Sequence, residues 1–317
     1  VFIRIALSVV AVLALATAGR AQVLVLFSDG FESYAPGALD KNLSGGPNAA
    51  PNGSGNPWFG PNPPNLRVVG AEGSVTPHSG TQMVRGLNTG GGDFDQNWYN
   101  LAYRNNGGKP YTANIAMDWW FYDPLGAGGA GFQDYAALGF YNTAPGNTDY
   151  PGSGNLNTGA TQVQRLSLGA SSNQSTGFDP AVYQARVVGV TDGYGGATGW
   201  FNTEVARSVG WHHGRIVVGP AYGGGLNDVS FFIDDMGTPA DVVTNVTSGY
   251  NVMEFNADFG AVTGYYDDLT FSQVPEPSSL VLSLGGFALL WRRVRVSGHR
   301  RARRVPDTVG ESKRSAG

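Results

Sequence analysis

The 317-residue sequence contains no cysteine, so no disulfide can staple it, whatever compartment it occupies, and its stability has to come from a packed core. It has no internal repeat and, in its body, no convincing amphipathic helix, which leaves strands as the main regular elements. Clustered cations are also missing: between Gln22 and Gln273 nine Lys/Arg stand against twenty-one Asp/Glu, a balance of 9 − 21 = −12, against −4 for the whole chain. A body of that sign excludes nucleic acid as a natural partner, because phosphate contacts need grouped positive charge. Metal ions and neutral sugars remain compatible with it. The serine residues show no Gly-x-Ser-x-Gly elbow, and no His/Cys set has metal-ligand spacing.

What is present in abundance is glycine and aromatic residues. Gly and Pro make 48 + 18 = 66 residues without a triplet period, and 12% of the chain is aromatic, a combination that fits many short strands joined by tight turns and neither collagen nor a disordered polymer. The run VLVLF after Gln22 suits a buried strand, and residues 41–64, rich in Pro and Gly, read as loop. Alternating segments follow around Val68, Met83 and Trp98, then at TANIAMDWWFYD, where Ile115, Met117, Trp119 and Phe121 share one face and Asp118, Trp120 and Tyr122 the other. Further strands are predicted at YAALGFY, TQVQRLSL, VYQARVVGV, GRIVVG, DVSFFID, NVMEFNADF and GYYDDLTF. The fold class expected is all-β, a two-sheet antiparallel β-sandwich over residues 22–273, large enough to bury a core without staples.

The two ends read as addresses. Arg4, the apolar run Ile5 to Ala18, and the small residues Gly19 and Ala21 predict a cleaved secretory signal over residues 1–21. Near the other end, Pro275, Glu276 and Pro277 precede an uncharged apolar stretch, Ser278 to Trp291, and then Arg292, Arg293 and Arg295. This order over residues 274–296 resembles the PEP-CTERM sorting signal of exported bacterial proteins. The resemblance implies a transient membrane helix, a cytoplasmic basic end, and recognition by an exosortase-type enzyme that sorts the protein to the envelope. Residues 297–317 extend past the usual end of that signal as a basic tail expected to stay disordered. A plain C-terminal membrane tail is the alternative.

The body carries a second resemblance. SDGFESYAPGAL, GWHHGRIVVG followed by VSFFIDD, and YYDDLTF occur in the order seen in jelly-roll domains of the concanavalin A-like and laminin-G-like kind. That resemblance implies a jelly roll whose first and last strands pair, bringing Asp29 and Glu32 beside Asp267 and Asp268. Related binding modules hold a structural Ca²⁺ at the corresponding place, so the resemblance assigns Glu32 and one of the two terminal aspartates to a calcium site; strand alternation allows only one of the pair. The same acids could equally sit in solvent at strand ends.

Candidate chemistry beyond this is sparse. Laminarinase-type jelly-roll enzymes carry Glu-x-Asp-x-x-Glu on one strand, and none of Glu32, Glu72, Glu204 and Glu254 begins it. Glu254 and Asp258 share a face four residues apart without a third acid, which fits the polar edge of a strand better than a glycosidase pair. His212 and His213 point apart and are expected to pack. Trp58, Trp98, Trp120 and Trp200 lie among polar, Gly-rich residues, and one or two of them are expected to stack on sugar rings while the others fill the core. The sequence therefore predicts an exported, non-catalytic sandwich that binds extracellular polysaccharide. A structural matrix protein without a small ligand and a polysaccharide-degrading enzyme remain open.

Overall fold

The computed structural model describes residues 23–39, 58–59, 66–86, 96–99, 101, 105–106, 109–128, 133–141, 162–171, 178–188, 200–221, 226–246, 249–258 and 263–274. Contacts divide the chain into Gln22–Val274 and a unit formed by the terminal segments Val1–Ala21 and Pro275–Gly317. The expected export signal and the sorting motif with Pro275, Glu276, Pro277, Arg292 and Arg293 lie outside the described residues. Among the described residues no helix is long and apolar enough to cross a membrane.

Sixteen strands are described. In chain order they are β1 Leu24–Asp29, β2 Gly37–Ala38, β3 Trp58–Phe59, β4 Leu66–Val69, β5 Met83–Gly86, β6 Gln96–Tyr99, β7 Ile115–Asp123 and β8 Gln133–Tyr141. They continue with β9 Gln162–Ser171, β10 Val182–Val188, β11 Trp200–Ala206, β12 Gly210–Val218, β13 Leu226–Ile233, β14 Asp241–Val246, β15 Val252–Asp258 and β16 Tyr265–Gln273. They build two antiparallel sheets. The nine-stranded sheet runs β14-β13-β12-β7-β16-β5-β4-β2 with β1 also on β16, and the seven-stranded sheet runs β11-β10-β9-β8-β15-β6-β3. This is the two-sheet jelly-roll sandwich that the alternation predicts, and β1 and β16 pair as expected, with Asp29 opposite Leu269.

The core fills the space between the sheets. Ile115, Met117, Trp119 and Phe121 of β7 face it from one side, and Leu138, Leu166, Leu168, Tyr183, Ala185, Met253 and Phe255 from the other. Strand alternation then sends Asp118, Trp120 and Tyr122 to the outer face, half-buried. Trp58 stacks on Phe255 at 5.3 Å, and Phe255 on Tyr266 at 4.3 Å. Gly214 lets β12 pass over Trp119, since a Cβ there would lie 2.6 Å from the indole.

Three expectations need correction. VLVLF is not a buried strand: Leu24 and Val25 are more than half exposed, because β1 adds to β16 as a partial outer strand and packs only part of its length on the core. The loop 41–64 contains a two-residue strand, Trp58–Phe59, which pairs with β6. Finally, alternation fails at Asp267 and Asp268: the register between β16 and β7 shifts there, and Asp268 has φ 47°, so a β-bulge turns both carboxylates to the same neighbourhood.

Candidate functional site

The four acids at the paired chain ends do not converge on one point: among the described residues Asp29 shares no partner with the other three, and Glu32, Asp267 and Asp268 are each held by the segment His78–Gln82. Asp29 is buried and accepts hydrogen bonds from the Phe31 N–H at 2.9 Å on one oxygen and from the Tyr34 hydroxyl at 2.6 Å and Trp58 Nε1 at 3.0 Å on the other. Burial pushes its pKa up despite those bonds. Glu32 accepts from the N–H groups of Thr81 and Gln82, both 2.8 Å, and from Thr81 Oγ1 at 2.7 Å. The Thr81 donors hold its pKa below the usual range. Asp267 accepts from the N–H groups of Ser79 at 3.1 Å and Asp268 at 2.8 Å. Asp268 accepts from Ser79 Oγ at 2.6 Å and meets His78 Nδ1 at 2.7 Å. All eight carboxylate oxygens thus face donors, the wrong polarity for a cage that must offer a cation six to eight oxygens. Among the described residues no group of three or more His, Cys, Asp or Glu is arranged to hold a metal ion. The arrangement does not fit the calcium expected at Asp29, Glu32, Asp267 and Asp268.

The tryptophans separate into different environments. Trp58 lies in the core and Trp98 is fully buried on the other side of the seven-stranded sheet. Trp120 points outward, as its position opposite Trp119 requires, but its ring lies 3.6 Å from the His78 ring and 4.9 Å from the His213 ring, nearly parallel to both. This indole therefore already stacks with two imidazoles. Trp200 is 9% exposed, at the start of the outermost strand of its sheet.

Trp200 belongs to a row legible only in the register. Across the face of the seven-stranded sheet turned away from the core, Trp200 pairs with Arg186, Arg186 with Ser167, Ser167 with Ala137, Ala137 with Glu254, and Glu254 with Trp98. Two indoles thus close the ends of a polar, small-residue floor. The Arg186 guanidinium lies 5.5 Å over the Trp200 ring. Next to the row, Arg165 pairs with Glu254, donates to the Tyr135 hydroxyl at 3.0 Å, and stands 5.1 Å over the Tyr135 ring. Tyr135 in turn meets Trp200 edge to face at 5.1 Å. Arg165, Ser167, Ser171, Glu254 and Asn256 are buried, Arg186 is partly exposed, and Asn202 and Glu204 of β11 are exposed, so the row opens toward β10 and β11. The hydroxyls of Ser167 and Ser171 and both side-chain amide atoms of Asn256 are buried with no hydrogen-bond partner among the described residues. Buried polar groups without partners are uncommon and suit a face that meets hydroxyls or water.

Sequence reasoning read Glu254 as part of the polar edge of a strand; β15 lies between β8 and β6, and the carboxylate is mid-sheet and paired with Arg165. It missed Arg165, whose partner is 89 residues away. The available signal was an arginine amid the alternation of TQVQRLSL.

The same geometry is a poor catalyst. The exposed Glu204 on this face lies four strand spacings across the sheet from Glu254, at least about 19 Å, and four residues further along its strand than the register partner Trp200, well beyond the roughly 5–9.5 Å of a glycosidase pair; the Asp258 side chain lies outside the described residues. Burial raises the Tyr135 pKa, the opposite of what a general base needs. Ser208, His212 and Asp234 have the composition of a hydrolytic triad. However, His212 Nε2 is 2.8 Å from the Ser208 carbonyl and 3.4 Å from its hydroxyl, while Nδ1 is 2.8 Å from Asp234. A carbonyl only accepts, so Nε2 carries a hydrogen and cannot take the serine proton. Burial pulls the His212 pKa down, but its bonds to Asp234 and Ser208 outweigh burial and raise it. His212 is a structural clamp, as expected of a packed histidine.

No protein-family model matches the chain, and no curated protein matches it in sequence. Among solved structures it is similar to one reported for endo-acting O-glycanases with which members of the human gut microbiota initiate mucin breakdown, at 11% identity over 79% of this chain and 100% of that one, with a TM-score of 0.44. It is also similar to the globular domain of T. cruzi calreticulin, at 10% identity over 82% and 91% of the two chains, TM-score 0.40. The metal-free Emp46p carbohydrate recognition domain matches at 9% identity over 67% and 89%, TM-score 0.36. Likenesses this remote assign neither a ligand nor a residue to this chain.

Proposed function

We propose that the protein is an exported, non-catalytic carbohydrate-binding sandwich that takes extracellular polysaccharide on the polar face of its seven-stranded sheet. The observation that carries this reading is the cross-strand row from Trp200 to Trp98, with the buried Ser167 hydroxyl in it and the Ser171 hydroxyl and Asn256 amide on the same face, none of which has a hydrogen-bond partner among the described residues. Sugars offer C–H faces to indoles and hydroxyls to amide, hydroxyl and charged groups, and a site of that kind is largely apolar with a few convergent polar atoms. Arg186 and Asn202 form its accessible end, beside the largely buried Trp200. Export rests on the signal-like residues 1–21, and sorting to the envelope on the Pro275-Glu276-Pro277 motif, the apolar stretch and Arg292 and Arg293. In this reading an exosortase-type enzyme and, before processing, the membrane are partners of the C-terminal segment alone.

A glycan array probed with the full chain tests the reading. Binding to a neutral polysaccharide that falls at least tenfold in Trp200→Ala is the expected result. Absence of binding to every glycan would favour a matrix role, and release of products from a polysaccharide would favour an enzyme.

A further inference from the structure

Three carboxylates, Glu32, Asp267 and Asp268, gather along one short piece of chain near the junction of β1 and β16, and the adjacent pair Asp267 and Asp268 repel one another unless something positive or proton-donating lies against them. Here that something is the same piece of chain. Of the seven donors to these three groups, six come from His78–Gln82: His78 Nδ1, the Ser79 N–H and hydroxyl, the Thr81 N–H and hydroxyl, and the Gln82 N–H. The seventh is the Asp268 N–H. Gln82 also donates its side-chain amide to the Glu32 carbonyl at 3.1 Å. The segment is shaped for this. Gly80 adopts φ 58°, and a Cβ there would lie 2.3 Å from Glu32 Oε1, so the backbone can seat the carboxylate only without a side chain. Its flank is fixed as well: Trp211 Nε1 donates to the Thr76 carbonyl at 2.9 Å, and His78 stacks on Trp120.

We infer that the segment His78–Gln82 occupies the place a bound cation would take at this junction, so that the first and last strands close without metal. Hydrogen bonds to an ionised carboxylate are of the strong, charge-assisted kind. Several of them, delivered by fixed backbone N–H groups, offset part of the charge gathered along this segment. The device holds whether or not the opposite sheet binds sugar.

The experiment is thermal melting of the full chain with calcium, with a chelator, and with neither. The wild-type midpoint should be the same in all three conditions. Ser79→Ala combined with Thr81→Val should lower it by several degrees, and calcium should restore part of that loss, since the freed carboxylate oxygens then face a cation instead of donors. A wild-type midpoint that falls in chelator overturns the inference, as does a double variant that melts lower and that calcium does not restore. If the double variant fails to fold, calorimetric titration of the wild-type chain with calcium decides: heat of stoichiometric binding contradicts the account, and none supports it.

Discussion

Arg165 and Glu254 form an ion pair whose side chains are 0% and 1% exposed. Breaking such a pair strands a charge in low dielectric, so Arg165→Met should cost about 3–5 kcal/mol of unfolding free energy. Adding Glu254→Leu to that variant should recover much of it, because an apolar pair of similar volume avoids the desolvation penalty. Urea denaturation of the two variants checks both statements. Asp267 gives a pH signature. Burial, with Asp268 close by, pushes its carboxyl from 3.8 up to about 6. A raised acid favours the fold in its neutral form, so its contribution is fully present below 3.8 and is lost as pH rises through about 6. The span is worth up to about 3 kcal/mol. The melting midpoint of the wild type should therefore carry a decline between those two pH values that Asp267→Asn flattens.

At the scale of single elements, the close approach of β8 and β9 depends on Gly169. It has φ 153°, and a Cβ would lie 2.2 Å from the Asp134 carbonyl, whereas at Gly37, with φ 132°, nothing lies within 4 Å. Gly169→Ala should lower unfolding free energy by about 1–3 kcal/mol more than Gly37→Ala, measured by the same denaturation, because only the former adds a clash with backbone to the strain of positive φ. The elements legible in the sequence were those long enough to show a period of two, β7 above all. The two-residue strands β2 and β3 carry no period. The outermost strand β14 has adjacent valines, Val242 exposed and Val243 buried, which alternation cannot sort without knowing that one side is open. The bulge at Asp268 had no signal either, since a non-glycine residue at positive φ breaks the rule from which faces were assigned.

For the whole molecule, the sandwich could be read from the sequence because inward residues repeat locally along each strand. The candidate site could not, because each of its neighbours comes from a different strand. Trp200 meets Arg186, and Glu254 meets Trp98, only through registers that connect residues far apart in the chain. The predicted sugar-stacking tryptophans illustrate the limit: composition singled out Trp58, Trp98, Trp120 and Trp200 equally, and only packing separates a core ring, a buried row member, a ring stacked with His78 and His213, and one at the open end of a polar row. The most direct test of the binding account is calorimetric titration of the full chain with the polysaccharide picked out by the array, for the wild type, Trp200→Ala and Trp120→Ala. The account predicts that Trp200→Ala loses at least tenfold in affinity while Trp120→Ala keeps it. Unchanged affinity in Trp200→Ala, with loss in Trp120→Ala, would place the ligand on the opposite sheet and contradict it.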